Sequence, residues 1–184
     1  MTAKNKSVIN TIRFATPLGA MIACATDQGV CLLEFADHKK SETDVGDLLK
    51  KFDAEILPGE NPHLIHLQQE LEEYFHGKRR HFTVPLQTQG TEFQQSVWEI
   101  LKEIPYGETR SYKQQAINLN NLKGIRAVAS ANGKNKIAII IPCHRVIGEN
   151  GDLTGYAGGL DRKSWLLDHE RKFSGKMVQG KLDF

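Results

Sequence analysis

The chain has 184 residues, enough for one large domain or two small ones, and its 40% hydrophobic content is enough to bury a core. It has no apolar run near the roughly 20 residues of a membrane helix, and Met1–Lys6 lacks the apolar core of a secretion signal. Three cysteines without framework or metal-ligand spacing argue against a disulfide scaffold and for a cytoplasmic protein with free thiols.

The net charge of +2 hides an asymmetry: residues 1–100 carry 10 Lys and Arg against 14 Asp and Glu, whereas residues 101–184 carry 14 against 8. A basic second half suits a polyanionic partner.

Residues 7–35 read as strands, with Gly19–Thr26 and Val30–Phe35 flanking the turn Asp27-Gln28-Gly29. Cys24 and Cys31 can face each other across that hairpin as reduced thiols. Residues 41–52 form a short amphipathic helix. A second helix starts at Pro62, carries Leu64, Leu67, Leu71, Tyr74 and Phe75 at helical spacing, and ends at Gly77. His63 and His66 have a metal-like spacing that no further ligand completes, so no metal is expected. Lys78–His81 reads as a solvated basic loop, and 81–90 as an extended linker that marks the domain boundary.

The second half is helical. Thr91 and Gln94 form a capping box for a helix expected to bury Phe93, Val97, Trp98 and Leu101, which stops at Pro105-Tyr106-Gly107. Ser111 and Gln114 form another, opening a helix to about Ile117. A polar turn over 118–124 leads to a second short helix, Ile125–Ala131, and the pair is a helix-turn-helix. Its second helix is one arginine, Arg126, among small residues. Such a helix can lie close to a narrow groove, where a lone arginine can enter the duplex; close packing in the core is the alternative reading. The run Ile137–Ile141 is expected to be a strand ended by Pro142, followed by a glycine-rich loop, a last helix near Leu160–Phe173 and a loose tail over 174–184.

The most informative segment is Ile141-Pro142-Cys143-His144-Arg145-Val146. Positive charge beside a thiol favours the nucleophilic thiolate. A helix-turn-helix with one inserting arginine, just upstream of a reactive cysteine, suits chemistry on a base extruded from DNA.

Gly107–Tyr112, Arg126–Val128, Asn135, Pro142–Val146, Gly155–Leu160 and Trp165–Glu170 together resemble O6-alkylguanine-DNA alkyltransferases of bacterial type, including the C-terminal half of the Ada protein. The likeness is dense over 84–172. It implies an α+β fold: a small N-terminal α/β (RNase H-like) domain with an antiparallel or mixed sheet over 1–85, and a helical domain with the helix-turn-helix and the active site over 86–184. It implies irreversible transfer of an alkyl group from O6-alkylguanine, and of O4-alkylthymine as a further substrate, to Cys143. The protein would act as a monomer on double-stranded DNA, after minor-groove binding and nucleotide flipping, with no cofactor.

By the same resemblance, His144 is the base that draws the thiol proton through a water, and Glu170 orients it. Tyr112 donates to guanine N3, and with Ser111 contacts the DNA. Arg126 replaces the flipped nucleotide, and Ala127 and Ala131 lie on the groove face. Asn135 is a hinge between recognition helix and active-site strand. The carbonyls of Cys143 and Val146 accept from the guanine 2-amino group, and the N–H groups of Tyr156 and Ala157 face O6. Trp165 and His169 read as structural. Five residues depart from the common pattern: Gln115, Ala129, Lys136, Ala138 and Ala157. Lys136 in place of proline implies a more mobile, more basic loop, and Ala138 and Ala157 bear on adduct size. The competing readings are a non-catalytic sensor of alkylated DNA, a cysteine hydrolase and a transcription factor.

Overall fold

The computed structural model describes residues 7–37 and 41–175. The tail expected over 174–184 therefore lies almost wholly outside the described residues. The first half is built on a four-stranded sheet in the order β3-β2-β1-β4: β1 (Ser7–Thr16), β2 (Gly19–Ala25), β3 (Val30–Phe35) and β4 (Ala54–Pro58). β1 and β3 pair antiparallel with β2, and β4 pairs parallel with β1. The β2–β3 turn closes as the sequence requires, with Thr26 N–H donating to the Gly29 carbonyl at 3.0 Å. Gly29 has φ 153°, and a Cβ there would stand 2.6 Å from the Pro85 carbonyl oxygen. β4 is absent from the sequence reading. Its five residues, Ala-Glu-Ile-Leu-Pro, include one proline, and it lies at the sheet edge where proline is tolerated.

Strand alternation divides the sheet into two faces. Ile9, Cys24, Cys31 and Leu32 meet Val45, Leu48, Leu49 and Phe52 of α1 (Ser41–Phe52). Met21, Ala23, Ala25, Leu33 and Phe35 face a larger core shared with Leu64, Leu67, Leu71 and Tyr74 of α2 (Pro62–Phe75) and with the second half of the chain. Cys24 and Cys31 are buried, free thiols within the sheet.

The second half holds α3 (Glu92–Lys102), α4 (Tyr112–Asn118), α5 (Ile125–Asn132) and α6 (Leu160–Phe173), with the two-residue strands β5 (Arg110–Ser111) and β6 (Val146–Ile147) pairing parallel. Both halves of the Thr91–Gln94 capping box are present. At α4 only one half is: Ser111 accepts from Gln114 N–H, while the Gln114 amide turns to the Asn118 side chain instead. Phe93 is not buried as expected but 36% exposed, because Val97, Trp98 and Leu101 complete the inward face without it. Trp98 Nε1 instead reaches across to donate to the Ala131 carbonyl at 2.9 Å.

The apolar run Ile137–Ile141 is not a strand. Leu33 N–H donates to the Lys136 carbonyl and Ala138 N–H to the Leu33 carbonyl; the run then leaves the edge of β3. Ile140 N–H donates to the Ala138 carbonyl at 2.8 Å, and Ile139 between them has φ 70°. That is a γ-turn with positive φ, strained for a β-branched residue. All-apolar runs signal burial, and burial alone does not distinguish a strand from a tight buried turn. The free edge of β3 is covered at both ends, by residues 85–87 and by 136–138.

Glu70, buried on α2, holds the linker. It accepts from Thr83 N–H, Thr83 Oγ1–H and Val84 N–H, and pairs with Arg79 at 2.9 Å. Glu70→Ala strands these donors, and chemical denaturation should show a loss of about 2–4 kcal/mol. A loss within experimental error would remove Glu70 as the anchor of the linker.

Candidate active site

α4, a polar turn and α5 make the helix-turn-helix. Gln115 and Asn132, both buried, join the helices by reciprocal amide bonds of 2.9 and 2.7 Å. This gives Gln115, one of the departures from the common pattern, a buried partner. Arg126, Ala127 and Ser130 are exposed along one face of α5, while Val128, Ala131 and Asn132 face inward. Ala131 is therefore not a groove contact. It lies three residues from Val128, on the core face, and its carbonyl is taken by Trp98.

Cys143 opens a single helical turn, Cys143–Arg145, entered through Pro142. Cys143 is half-buried and lines a cavity of about 570 Å³ that also takes in Tyr112, Arg126, Asn135 and Thr154–Ala157. Asn135 reaches it from the end of α5. The Asn135 amide donates to Cys143 Sγ at 3.3 Å and to the Ile141 carbonyl at 2.8 Å, and its oxygen accepts from Ile137 N–H. One side chain thus ties the helix end to the turn that carries the thiol. Lys136 is not a mobile cation: its Nζ pairs with Asp44 Oδ1 of α1 at 2.7 Å.

Behind the thiol, His144 and Glu170 are wholly buried and share a hydrogen bond, Nε2 to Oε1, of 2.7 Å. Glu170 also accepts from Tyr74 Oη at 2.8 Å, Gly107 N–H at 3.1 Å, and Arg145 Nε and Nη2 at 2.8 and 3.0 Å. Burial alone disfavours its charge, but the bonds and charge of His144 and Arg145 override it and hold Glu170 well below the usual carboxylate range. Burial pushes the His144 pKa down, helped by Arg145 and Lys163, against the pull of Glu170. A carboxylate only accepts, so the shared proton sits on Nε2, and Nδ1, buried with no protein partner among the described residues, carries the lone pair.

Arg145 does not reach the thiol, contrary to the expectation from its place in the sequence. Its guanidinium turns to Glu170 and the Ile104 carbonyl. The cation that acts on Cys143 is Lys163 of α6, which sequence reasoning missed. Lys163 is buried, donates to the carbonyls of Val146, Thr154 and Gly155, and is pushed down to about 8 by burial. Helix arithmetic was the available signal: Lys163 shares the inward face of Leu166, Leu167 and Glu170. The net effect on Cys143 is upward, because burial outweighs the Asn135 bond and the Lys163 charge.

Tyr112 lines the cavity and donates to the Thr154 carbonyl at 3.0 Å; Ser111 is spent on capping α4. Tyr156 and Ala157 line the same cavity. Val146 is fully buried, and its carbonyl already accepts from Lys163, leaving one lone pair for another donor. The Cys143 carbonyl accepts from Val146 N–H. Trp165 stacks on His169 at 4.8 Å between ring centroids, and His169 bonds the Tyr74 carbonyl, so both are structural. His63 and His66 stay apart: one meets the Asp27 carbonyl, the other Glu70. Among the described residues no group of three His, Cys, Asp or Glu could hold a metal, and no helix is long and apolar enough to cross a membrane.

A helix-turn-helix that shares a cavity with a cysteine backed by a His–Glu pair defines a DNA-binding protein with nucleophilic cysteine chemistry. Comparison with known proteins specifies it. Residues 11–88 match the ribonuclease-like domain of 6-O-methylguanine DNA methyltransferase, and residues 92–172 match its DNA-binding domain. A methylated-DNA–protein-cysteine methyltransferase of Methanosarcina acetivorans is 46% identical over 85% of this chain and 95% of its own length. The Shigella flexneri protein of that name is 41% identical over 86% and 93%. The crystal structure of Mycobacterium tuberculosis OGT in complex with DNA superimposes with a TM-score of 0.75 at 37% identity, over 90% of this chain and 94% of that one. A crystal structure of the O6-methylguanine methyltransferase of the same organism gives 0.76 at 36%, over 89% and 93%. The chain belongs to the methylated-DNA–protein-cysteine methyltransferase family.

The raised thiol pKa has a measurable consequence. Alkylation of Cys143 by iodoacetamide, followed by peptide mass, should rise with pH to a midpoint above the roughly 8.5 of a free cysteine. A midpoint below about 7 would mean that a standing thiolate, not burial, governs the resting site.

Proposed function

We propose that Cys143 is the acceptor through which this protein repairs DNA. The family reaction transfers the methyl group of O6-methylguanine in DNA to a cysteine of the protein, and the protein binds DNA to do so. The observation that carries the assignment is the cavity itself. Cys143 lies in it with Arg126 of the exposed α5 face at its rim, so a nucleotide displaced by that arginine has a pocket to enter.

His144 Nδ1, relaying through one water, takes the thiol proton. The sulfur electron pair forms the S–C bond as the C–O6 bond breaks, and its electrons pass to guanine. Tyr112 donates toward N3 as that charge grows. Guanine gains one proton for the one the thiol lost, so thioether and unmodified guanine are the products. A thioether has no good leaving group, and each molecule acts once. Asn135 holds the sulfur in place, and Glu170 fixes the base. Arg126 and Ala127 meet the minor groove of double-stranded DNA, with Tyr112 and Ser111 at its edge. The N–H groups of Tyr156 and Ala157 read the O6 side, and the remaining lone pair of Val146 the 2-amino group. Residues 1–85 are the N-terminal domain and 86–184 the one that binds and reacts. We read the protein as a cytoplasmic monomer that associates with the nucleoid when it acts, and O4-alkylthymine as a further substrate. The sensor reading requires an absent or inert cysteine, and the backed thiol of Cys143 opposes it.

Intact mass after mixing with a duplex carrying one O6-methylguanine should rise by about 14 Da, one methylene in place of hydrogen at a consumed nucleophile. The adduct should map to Cys143 and be missing in Cys143→Ser. An adduct on another residue, or tight binding without one, would overturn the assignment.

A further inference from the structure

Two buried polar atoms beside Cys143 have no hydrogen-bond partner among the described residues: Glu34 Oε2 and Tyr156 Oη. Both residues line one recess with Cys143, Ala138, Ala157 and Gly158. Glu34 comes from β3 in the first half of the chain and is only 8% exposed, yet it lines this recess and the main cavity alike. Burial, then the charge of Asp44 and a hydrogen bond between the two carboxyl groups, pushes its carboxyl up to about 8 against the opposing charge of Lys136. The proton is engaged with Asp44, and Oε2 is left as an acceptor.

The wall is rigid. β3 is held by Leu33 bonding residues 136 and 138, and the adjoining Phe35 ring lies 4.2 Å from the Arg162 guanidinium, which pairs with Asp37. Gly158 is pressed against that ring so closely that a Cβ would stand 2.8 Å away. Native proteins seldom leave buried polar atoms unpaired, and where they do a ligand is one explanation.

We propose that Glu34 and the Tyr156 hydroxyl determine specificity for the O6 substituent, selecting one with a hydroxyl at its far end, such as 2-hydroxyethyl, over an apolar group of equal size. The inference rests on Cys143 being the acceptor. The bonds made and broken are those of methyl transfer; only the tail of the substituent differs, and it lies in the recess. A hydroxyl there can give Glu34 Oε2 and Tyr156 Oη the partner each lacks, whereas an apolar tail leaves both buried and unpaired, a difference that a site built to hydrogen-bond its ligand turns into selectivity.

The test is single-turnover transfer from duplexes bearing O6-methylguanine, O6-(2-hydroxyethyl)guanine or O6-propylguanine. Wild type should react with hydroxyethyl at least about tenfold faster than with propyl, the factor that one unsatisfied buried group supplies. Glu34→Leu and Tyr156→Phe should each collapse that ratio toward one, and Glu34→Gln should keep most of it. Ratios within one preparation are insensitive to the fraction folded. A wild-type ratio near one overturns the proposal without any variant, as does a ratio that survives both Glu34→Leu and Tyr156→Phe. Absence of methyl transfer to Cys143 would instead overturn the acceptor assignment, and this proposal with it.

Discussion

The Glu170 carboxylate is the point on which the site depends. An isolated charge at such depth would cost several kcal/mol or would neutralise. Here five hydrogen bonds arrive from α2 through Tyr74, from the loop after α3 through Gly107, and from the turn after Cys143 through His144 and Arg145. The charge is thus kept, with Arg145 as its counter-ion. Because Tyr74 belongs to the sheet-bearing half, the carboxylate that holds His144 is set by contact between the two. The same carboxylate sets the tautomer, since it assigns the ring proton of His144 to Nε2 and leaves the lone pair on Nδ1.

Around that point the site restrains the Cys143 thiol. Burial favours the thiol form of Cys143, and Asn135 and Lys163 favour the thiolate without reversing the balance. In the proposed role, a protein consumed by one reaction gains from a thiol that is quiet until a substrate and a base act together. The shape of the wall is a matter of chain path. Residues 136–138 bond to β3 and then turn sharply at Ile139, so the end of β3 faces the thiol.

Local chemistry made much of this legible in the sequence. Caps at Thr91 and Ser111, the Gly29 turn, Pro62 and the span of α6 are decided by neighbours in the chain, and the structure has each of them. The motif around Cys143 also pointed to the family. What escaped depends on tertiary context. The run 137–141 looked like a strand because its pattern encodes only burial. Residue type suggests burial for Phe93 and the resemblance a groove contact for Ala131, and helix phase overrules both. Arg145 is close to Cys143 in sequence, but neighbours along a tight turn point apart, and the effective cation came from Lys163, 20 residues on. Glu34 sits in a strand whose neighbours are all apolar, so nothing local marked it as part of the pocket.

The most direct measurement is the ¹⁵N spectrum of the His144 imidazole at neutral pH, assigned with a His144→Gln control. The account predicts a neutral ring with the proton on Nε2 and a bare Nδ1, and loss of that single tautomer in Glu170→Gln. A proton on Nδ1, or a doubly protonated ring in the resting protein, would contradict it.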